Sequence, residues 1–199
     1  MTPLRYRVFI SSPGDVGRER EAASKVLKRV EGWFAGRVTV EGYFWEHEPM
    51  RTNRGDFQQQ IEEPANFDLV VCILWSRLGS RLHPGIHARN DGTHYGSGTE
   101  YEFENAAHAF EQVGKPDLLV YRRTETPLFP PEPEEDLRRR MDQWSALKGF
   151  CERWFKDGEA GSFRAAFNQY EDLADFETRL EQHLKRLVEA HLIAAGATL

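Results

Sequence analysis

Glu102 is the residue of this sequence whose type and position best suit it to chemistry. It lies in a pattern that predicts a helix from Thr99 to about Val113, after a turn rich in glycine and serine. At about 100° per residue, one face of this helix is apolar and consists of Phe103, Ala106, Ala109, Phe110 and Val113. The opposite, solvent-facing side carries Glu100, Glu104 and Glu111. Glu102 falls at the edge of the apolar face, where partial desolvation raises the pKa of a carboxyl and suits it to acid–base or cation-stabilising work.

The same spacing also fits a structural role for this glutamate. Thr99-x-x-Glu102 spells a capping box, in which the Glu102 carboxylate accepts a hydrogen bond from the backbone N–H of Thr99. Ser97-x-x-Glu100 spells a second one, and Glu100 is the weaker catalytic candidate because its helical position faces solvent. The residues alone leave the catalytic and capping interpretations of Glu102 open.

A turn at residues 11–15, Ser-Ser-Pro-Gly-Asp, follows the first predicted strand. The N–H groups at the start of the next helix suit a phosphate or ribose group. The turn has neither a GxGxxG pattern nor a Walker lysine, so it specifies no particular nucleotide. Ser12 or Asp15 as an ordinary N-cap is the alternative. Arg20 on the helix either orients this turn or is a solvated surface charge.

Two further pairs of residues lie near the ends of predicted strands. Trp45 precedes a loop that carries Arg51, and these residue types stack on rings and bind phosphate, although a buried tryptophan beside a surface arginine is common. Trp75 and Ser76 end the central strand, and Ser76 lacks the His and Asp partners of a hydrolase triad. No metal site is expected from the loop histidines, which are His83, His87 and His94.

The composition excludes several classes of protein. A chain of 199 residues and 23.0 kDa is long enough for one sizeable core. Its net charge of -6 and pI near 5.7 argue against nucleic acid as a partner. The longest apolar run, Leu69–Leu74, is far short of the ~20 residues that cross a membrane, so we expect a cytoplasmic protein with no membrane partner. Cys72 and Cys151 are predicted to be buried thiols.

Strand and helix patterns alternate along the chain. Strands are predicted at residues 6–10, 38–45, 68–75 and 118–121, with an ambiguous edge strand at 162–167. Helical patterns occur at residues 16–34, 56–63, 99–113, 137–151 and 173–191. The continuous apolar run at 68–75 predicts a central parallel strand covered on both faces. The sequence therefore predicts an α/β three-layer sandwich with a mostly parallel sheet, whose strand carboxyl ends form one functional rim.

We expect a single domain at residues 1–193, with a core at 5–122, a helical flank at 134–193 and a tail or linker at 194–199. The loop at residues 79–98 has no periodicity, and loops of this length within a compact domain are usually functional. We expect it to be a mobile lid over Glu102. The alternative is a loop held permanently on the core by Leu82, Ile86 and Tyr95.

Three motifs together resemble one known family. They are Val8-Phe9-Ile10-Ser11-Ser12-Pro13-Gly14-Asp15, Leu74-Trp75-Ser76-Arg77-Leu78-Gly79 and Ser97-Gly98-Thr99-Glu100-Tyr101-Glu102. In this order they resemble the TIR-like domains found at the N-termini of prokaryotic STAND NTPases and other NLR-like defence proteins, over most of residues 5–192. The resemblance implies a flavodoxin-like TIR fold with extra C-terminal helices, in which the first two strand loops and the third helix surround a site.

The resemblance also implies a reaction at Glu102. In catalytic TIR domains a glutamate on that helix, usually followed four residues later by Ala, promotes cleavage of the nicotinamide–ribose bond of NAD. Glu102 followed by Ala106 matches this position. Gly98-Thr99-x-x-Glu102 is also similar to the GTxxE of nucleoside deoxyribosyltransferases, whose glutamate acts on the anomeric carbon. The chain departs from ordinary TIR domains in having Gly98-Thr99 in place of Trp-Cys, and an insertion at 81–95.

We therefore expect an NAD glycohydrolase of prokaryotic antiphage defence, with NAD as substrate and with neither cofactor nor metal. Glu102 is the expected catalytic residue, and the expected substrate-binding residues are Ser11, Ser12, Asp15, Trp45, Arg51, Trp75, Ser76 and Thr99. The expected partners are NAD or a related nucleotide, further copies of the chain, and NTPase and sensor modules of a longer protein. The alternatives are a non-catalytic signalling or oligomerisation module, and a nucleoside or nucleotide glycosidase related to the deoxyribosyltransferases.

Overall fold

The computed structural model of the chain describes residues 2–83, 87–89, 91–129, 133–156 and 166–196. Within them, five parallel strands form one sheet. The strands are β1 Leu4–Ser11, β2 Val38–Tyr43, β3 Leu69–Leu74, β4 Asp117–Arg123 and β5 Asn168–Tyr170. Their order across the sheet is β2-β1-β3-β4-β5, which is the flavodoxin-like, doubly wound order. The predicted α/β fold is confirmed.

Helices cover the sheet on both faces. In the described residues the α-helices are α1 Gly17–Trp33, α2 Gly98–Val113, α3 Glu134–Phe155 and α4 Leu173–Ala194. Short 3-10 helices between β2 and β3 occupy Trp45–His47, Phe57–Gln60 and Pro64–Asn66. Side chains of α1 and α4 share a buried cluster with one face of β1 and β3, and α2 and α3 pack on the opposite face. These contacts form the three layers that the sequence predicts.

The composition of β3 explains why both faces of the sheet are covered. All six of its residues are buried. Leu69, Val71 and Ile73 belong to the cluster with α1 and α4, and the alternate residues Val70, Cys72 and Leu74 pack on the side of α2 and α3. A strand buried on both faces needs an apolar side chain at every position. The prediction of a central strand here is confirmed.

The edge strand differs most from its prediction. It occupies Asn168–Tyr170 rather than 162–167, and residues 162–165 lie outside the described residues. Asn168 pairs with Tyr121, Arg123 pairs with Tyr170, and the Tyr170 side chain is fully buried. Pairing to a distant strand fixes this segment, and no local pattern in the sequence reports such a contact.

Both cysteines are free thiols: Cys72 is buried in β3 and Cys151 is partly buried on α3. Burial raises the pKa of both thiols, so the thiol form is favoured at neutral pH. None of the helices in the described part of the chain has the length and apolar character needed to span a bilayer.

Candidate functional site

A cavity of about 220 Å³ lies at the carboxyl ends of β1, β2 and β3, beside the first turns of α2. Its walls come from residues 12–14 after β1, 45–46 after β2, 57–58 in the next 3-10 helix, and 77 and 79–80 after β3. In a sheet of this order the loop that leaves β1 runs to β2 on one side, and the loop that leaves β3 runs to β4 on the other, which opens a crevice between these two loops. The cavity lies at this crevice, where ligands of open α/β sheets bind.

Glu102 lies in the wall of this cavity with only 3% of its surface exposed. Its Oε2 accepts a 2.6 Å hydrogen bond from Ser11 Oγ, and its Oε1 accepts a 3.3 Å hydrogen bond from Gln58 Nε2. Burial raises the pKa of Glu102 to about 7, although both hydrogen bonds act in the opposite direction. Near neutral pH the side chain therefore exists in both its charged and its neutral form, as a proton-transfer group requires.

The capping interpretation of Glu102 is wrong. Helix α2 begins at Gly98, one residue before the predicted start, and its N-cap is Ser97, whose Oγ accepts a hydrogen bond from Glu100 N. Glu100 in turn accepts a 2.6 Å hydrogen bond from Gly96 N. Ser97 therefore caps the helix, and Glu100 fixes the turn that precedes it. The carboxylate of Glu102 points to the cavity instead of the backbone.

The prediction that Glu100 and Glu104 face solvent is also wrong. Both are buried, with 3% and 4% of their surface exposed. Arg89 lies 2.8 Å from Glu104 and 3.1 Å from Glu100, and Arg153 of α3 lies 2.5 Å from Glu100. The loop after β3 and helix α3 fold over this side of α2. The periodicity of a helix shows which of its faces is apolar. It does not show whether another part of the chain covers the polar face.

Arg20 holds the loop after β1 in place. Its Nε donates a 2.9 Å hydrogen bond to Ser12 Oγ, and its Nη2 donates to the carbonyl oxygen of Pro13. The guanidinium also lies 2.8 Å from Glu46 Oε1 in the cavity wall, without the geometry of a hydrogen bond. Burial raises the pKa of Glu46, and the neighbouring charge of Arg20 lowers it. Arg20 therefore orients the turn, which is one of the two roles that the sequence suggests for it.

Asp15 joins the loop after β1 to the loop after β3. Its Oδ2 accepts hydrogen bonds from Ser76 N at 2.9 Å and Ser76 Oγ at 2.7 Å. The expectation that Ser12 or Asp15 caps the following helix is wrong, because the N-cap of α1 is Val16 and receives no side-chain hydrogen bond. The carboxylate and the hydroxyl are instead used to fix one loop to the other.

The structure brings part of the predicted site together. Ser12, Trp45, Thr99 and Glu102 line the cavity, and Ser11 reaches it through its bond to Glu102. Asp15 and Ser76 line a neighbouring cavity of about 790 Å³, which shares Gly14, Arg77 and Ser80 with the first. Besides Ser11, two predicted residues line neither of these cavities. Arg51 is exposed on an outer loop, and Trp75 Nε1 donates to Glu125 O beneath the guanidinium of Arg123.

Gln58 is a site residue that the sequence analysis missed. It lies in the 3-10 helix Phe57–Gln60, which Asp56 caps by accepting a 2.9 Å hydrogen bond from Gln58 N. The Gln58 side chain is buried against Gly98, where an added Cβ would lie 2.6 Å from Gln58 Oε1. Gly98 therefore leaves the room through which Gln58 reaches Glu102. Gly98, four residues before Glu102 in the sequence, could have signalled this contact, because glycine often marks a place where another part of the chain comes close to the backbone.

No family model matches this chain, and no curated protein matches it. Among solved structures it is similar to one described as a short-chain flavodoxin associated with a non-canonical PDU bacterial microcompartment. The sequence identity is 13%, the alignment covers 94% of this chain and 98% of that chain, and the TM-score is 0.34. The fold assignment rests on the strand order of this chain itself.

The described side chains contain no group of three or more His, Cys, Asp and Glu residues that could hold a metal ion. Of the loop histidines, His87 stacks on Tyr101 with ring centres 3.8 Å apart. What remains in the cavity is a carboxyl group with a raised pKa, two aromatic rings from Trp45 and Phe57, and the guanidinium groups of Arg20 and Arg77.

Proposed function

We propose that this chain hydrolyses an N-glycosidic bond of a nucleotide, with Glu102 acting at the anomeric carbon and NAD as the substrate. The observation that carries the proposal is the state of Glu102. It is buried at the rim cavity, held by Ser11 and Gln58, and free of any capping role. A carboxylate fixed in this way stabilises positive charge that develops beside it without having to reorganise.

The proposed reaction uses this carboxylate twice. When the bond between ribose C1′ and the nicotinamide nitrogen breaks, the electron pair leaves with neutral nicotinamide and an oxocarbenium centre forms, which the Glu102 carboxylate stabilises. Water then attacks C1′ and its proton passes to Glu102, whose pKa of about 7 allows release of that proton to solvent. The products are nicotinamide and ADP-ribose. An internal nitrogen of the adenine ring is an alternative acceptor in place of water.

The aromatic wall of the cavity supports a planar leaving group. Trp45 and Phe57 line the cavity beside Glu102, and their ring centres are 5.8 Å apart. Rings of this kind stack on a flat heterocycle such as nicotinamide. The TIR-like motifs around Ser11, Ser76 and Glu102 support the same substrate, and with it a role in antiphage defence signalling.

A second candidate, a nucleoside glycosidase, is favoured by the size of the cavity. At about 220 Å³ it is smaller than the ~300–1,000 Å³ typical of ligand pockets, which suits one nucleoside better than a whole dinucleotide. Gly98, Thr99 and Glu102, the residues shared with deoxyribosyltransferases, all line it. A panel of NAD, nicotinamide riboside and deoxynucleosides distinguishes the two candidates by which glycosidic bond is cleaved fastest.

The deciding experiment measures nicotinamide release from NAD by chromatography, with the protein concentrated or artificially clustered. Glu111→Gln is the matched control, because Glu111 is an exposed carboxylate on the same helix. We expect Glu102→Gln to lose at least about 100-fold in turnover while the control keeps wild-type turnover. A Glu102→Gln protein that melts as wild type and turns over NAD at the wild-type rate would show that Glu102 is not catalytic. No nicotinamide release in any state favours the non-catalytic signalling module.

A further inference from the structure

We propose that Arg77 binds the phosphate groups of the substrate, and that the adjoining 790 Å³ cavity holds the rest of a nucleoside diphosphate ester. The inference rests on the proposed function, which places the glycosidic bond of the substrate beside Glu102. It adds the residue and the cavity that would hold the phosphate-bearing part of the substrate, since a nucleoside without phosphate would leave Arg77 and the larger cavity unused.

Arg77 is placed between the two cavities and lines both of them. It follows β3, and its side chain is partly buried. Its Nε atom is buried and donates no hydrogen bond, and none of the described carboxylates lies within ion-pair distance of it. Removing a guanidinium donor from water without giving it a partner is costly, and an anion in the cavity would supply the missing acceptor.

Other arginines around the site show what Arg77 lacks. Arg20 lies beside Glu46, Arg89 is bound by Glu104, and Arg153 is bound by Glu100. Each of these cations is held by a carboxylate of the chain and serves to position a loop or a helix. Among the described residues, Arg77 has no such carboxylate partner at the point where the two cavities meet. Arginine is also the residue that matches a phosphate with two parallel hydrogen bonds.

Among the described residues that line the larger cavity, arginines outnumber carboxylates in a protein whose net charge is -6, and two of these arginines, Arg138 and Arg139, also pair with Glu134 and Asp136 on α3. Its cationic lining residues are Arg77, Arg81, Arg138, Arg139 and Arg140, and its acidic ones are Asp15, Glu135 and Asp142. Asp15 Oδ2 accepts the two Ser76 hydrogen bonds, and Asp15 Oδ1 is buried without a hydrogen-bond partner. An excess of cations in a concave site concentrates anions, and it opposes the overall charge of the chain.

The order of groups along the two cavities matches a dinucleotide. Glu102 and Arg77 line the smaller cavity, so a ribose attacked at Glu102 would extend its phosphate towards Arg77. Gly14 borders both cavities in the loop before α1, whose first N–H groups receive no side-chain cap and add partial positive charge at this rim. Phe129 lines the larger cavity and offers a ring face for a second base.

The test is calorimetric binding of ADP-ribose and of adenosine to the whole chain, which does not depend on turnover. We expect the wild-type protein to bind ADP-ribose more tightly than adenosine, and added NaCl to weaken only ADP-ribose binding. Arg77→Met should weaken ADP-ribose binding by about tenfold or more and leave adenosine binding unchanged. Arg186→Met is the control, because Arg186 is exposed on α4, on the opposite face of the sheet, and should bind ADP-ribose as wild type does.

The outcomes separate this inference from the proposed function. Release of nicotinamide together with unchanged ADP-ribose binding by Arg77→Met overturns the role of Arg77 and leaves the hydrolase in place. Arg77-dependent ADP-ribose binding without nicotinamide release supports the phosphate site and contradicts the hydrolase. Equal affinity for adenosine and ADP-ribose overturns the inference. Should Arg77→Met fail to fold, Arg77→Lys is used with NAD, for which we expect a raised KM and an unchanged kcat, and an unchanged KM overturns the inference.

Discussion

Ser11 Oγ donates a 2.6 Å hydrogen bond to Glu102 Oε2, and this bond joins the last residue of β1 to the second turn of α2. Both side chains are buried, and Ser11 pairs with Cys72 of the central strand through its backbone. The position of the Glu102 carboxylate is thus set by the sheet rather than by a mobile loop. A site built on the sheet keeps its geometry before substrate binds.

The first prediction concerns the pH dependence of the proposed hydrolysis. The carboxylate form of Glu102 is the one that stabilises an oxocarbenium centre, so kcat/KM should rise with pH and level off above the Glu102 pKa of about 7. The bond from Ser11 lowers that pKa, so Ser11→Ala should move the rise to higher pH. Initial rates of nicotinamide release across a pH series measure both effects. A flat profile, or a shift of the Ser11→Ala profile to lower pH, would contradict the assignment.

The second prediction concerns stability and follows from the same pKa. The Glu102 pKa is about 7 in the folded chain against an ordinary value of 4.5, so between these values the folded state holds a proton that the unfolded state has lost. Stability from this group is therefore lost as pH rises, up to roughly 3 kcal/mol. Glu102→Gln removes the effect. Urea unfolding should show Glu102→Gln gaining stability relative to wild type as pH is raised, and a constant difference would refute this.

The third prediction tests whether the lack of a side chain at Gly98 allows Gln58 to reach Glu102. The side chain of Gly98→Ala would meet the flexible end of Gln58, so the fold should remain stable while Gln58 is displaced from Glu102. We expect Gly98→Ala and Gln58→Met each to reduce turnover by about tenfold. Because both changes remove one interaction, the double variant should be no worse than the poorer single one. Additive losses in the double variant would show that Gly98 acts in another way.

These residues show which parts of the site can be found in the sequence. Glu102 was accessible because its position on an amphipathic helix, after a strand and a turn, is a local pattern. Its hydrogen bond to Gln58 spans 44 residues, and its bond to Ser11 spans 91, so no local pattern contains them. The fold followed from the alternation of elements and from the continuous apolar run in β3, which are also local signals.

The same limit explains the misplaced charges. Glu100 and Glu104 are spaced like solvent-facing residues, and they are buried only because Arg89 and Arg153 arrive from elsewhere in the chain. Arg51 was expected at the site because it follows β2 closely in sequence. The chain turns away after Trp45 and carries Arg51 to the surface. A residue that follows a strand closely in sequence is expected near the carboxyl end of that strand. Its position in the sequence does not show whether it faces the cavity or the solvent.

The fourth prediction concerns the loop at residues 79–98, which the sequence suggested was a mobile lid. In its described parts, Leu82 is buried and Arg89 binds Glu104 while stacking over Tyr95. Of the three anchors named in the alternative, Ile86 lies outside the described residues. We expect slow hydrogen exchange around Tyr95 in the free protein, and faster exchange there in Arg89→Ala, since two buried carboxylates lose their shared cation.

Adding NAD provides the comparison for this loop. An anchored loop should exchange slowly with or without ligand, whereas a lid should exchange fast in the free protein and slowly in its presence. Fast exchange around Tyr95 without ligand would restore the lid interpretation and remove Arg89 from its anchoring role. The matched variant Arg81→Ala, with an exposed side chain on the same loop, should leave exchange at Tyr95 as in wild type.

The last prediction concerns self-association through the loop after β2. Residues 51–55 are all exposed, and the loop is held in a fixed shape because the Gln60 side chain bonds to both the N and the O of Arg51, at 2.8 and 3.0 Å. It lies beside Phe57, a cavity residue that is 39% exposed. A second copy of the chain placed here would cover the open side of the small cavity and exclude water from Glu102.

Specific activity should therefore rise with protein concentration, in parallel with a larger sedimentation coefficient. Reversing the exposed charges with Arg51→Glu and Arg54→Glu should move this rise to higher concentration, because neither side chain lines the cavity and only the contact between copies would change. Arg186→Glu, on α4, serves as the control for a change in net charge. Specific activity that is constant from dilute to clustered protein would show that a single copy forms a complete site, and that this loop has no part in assembling it.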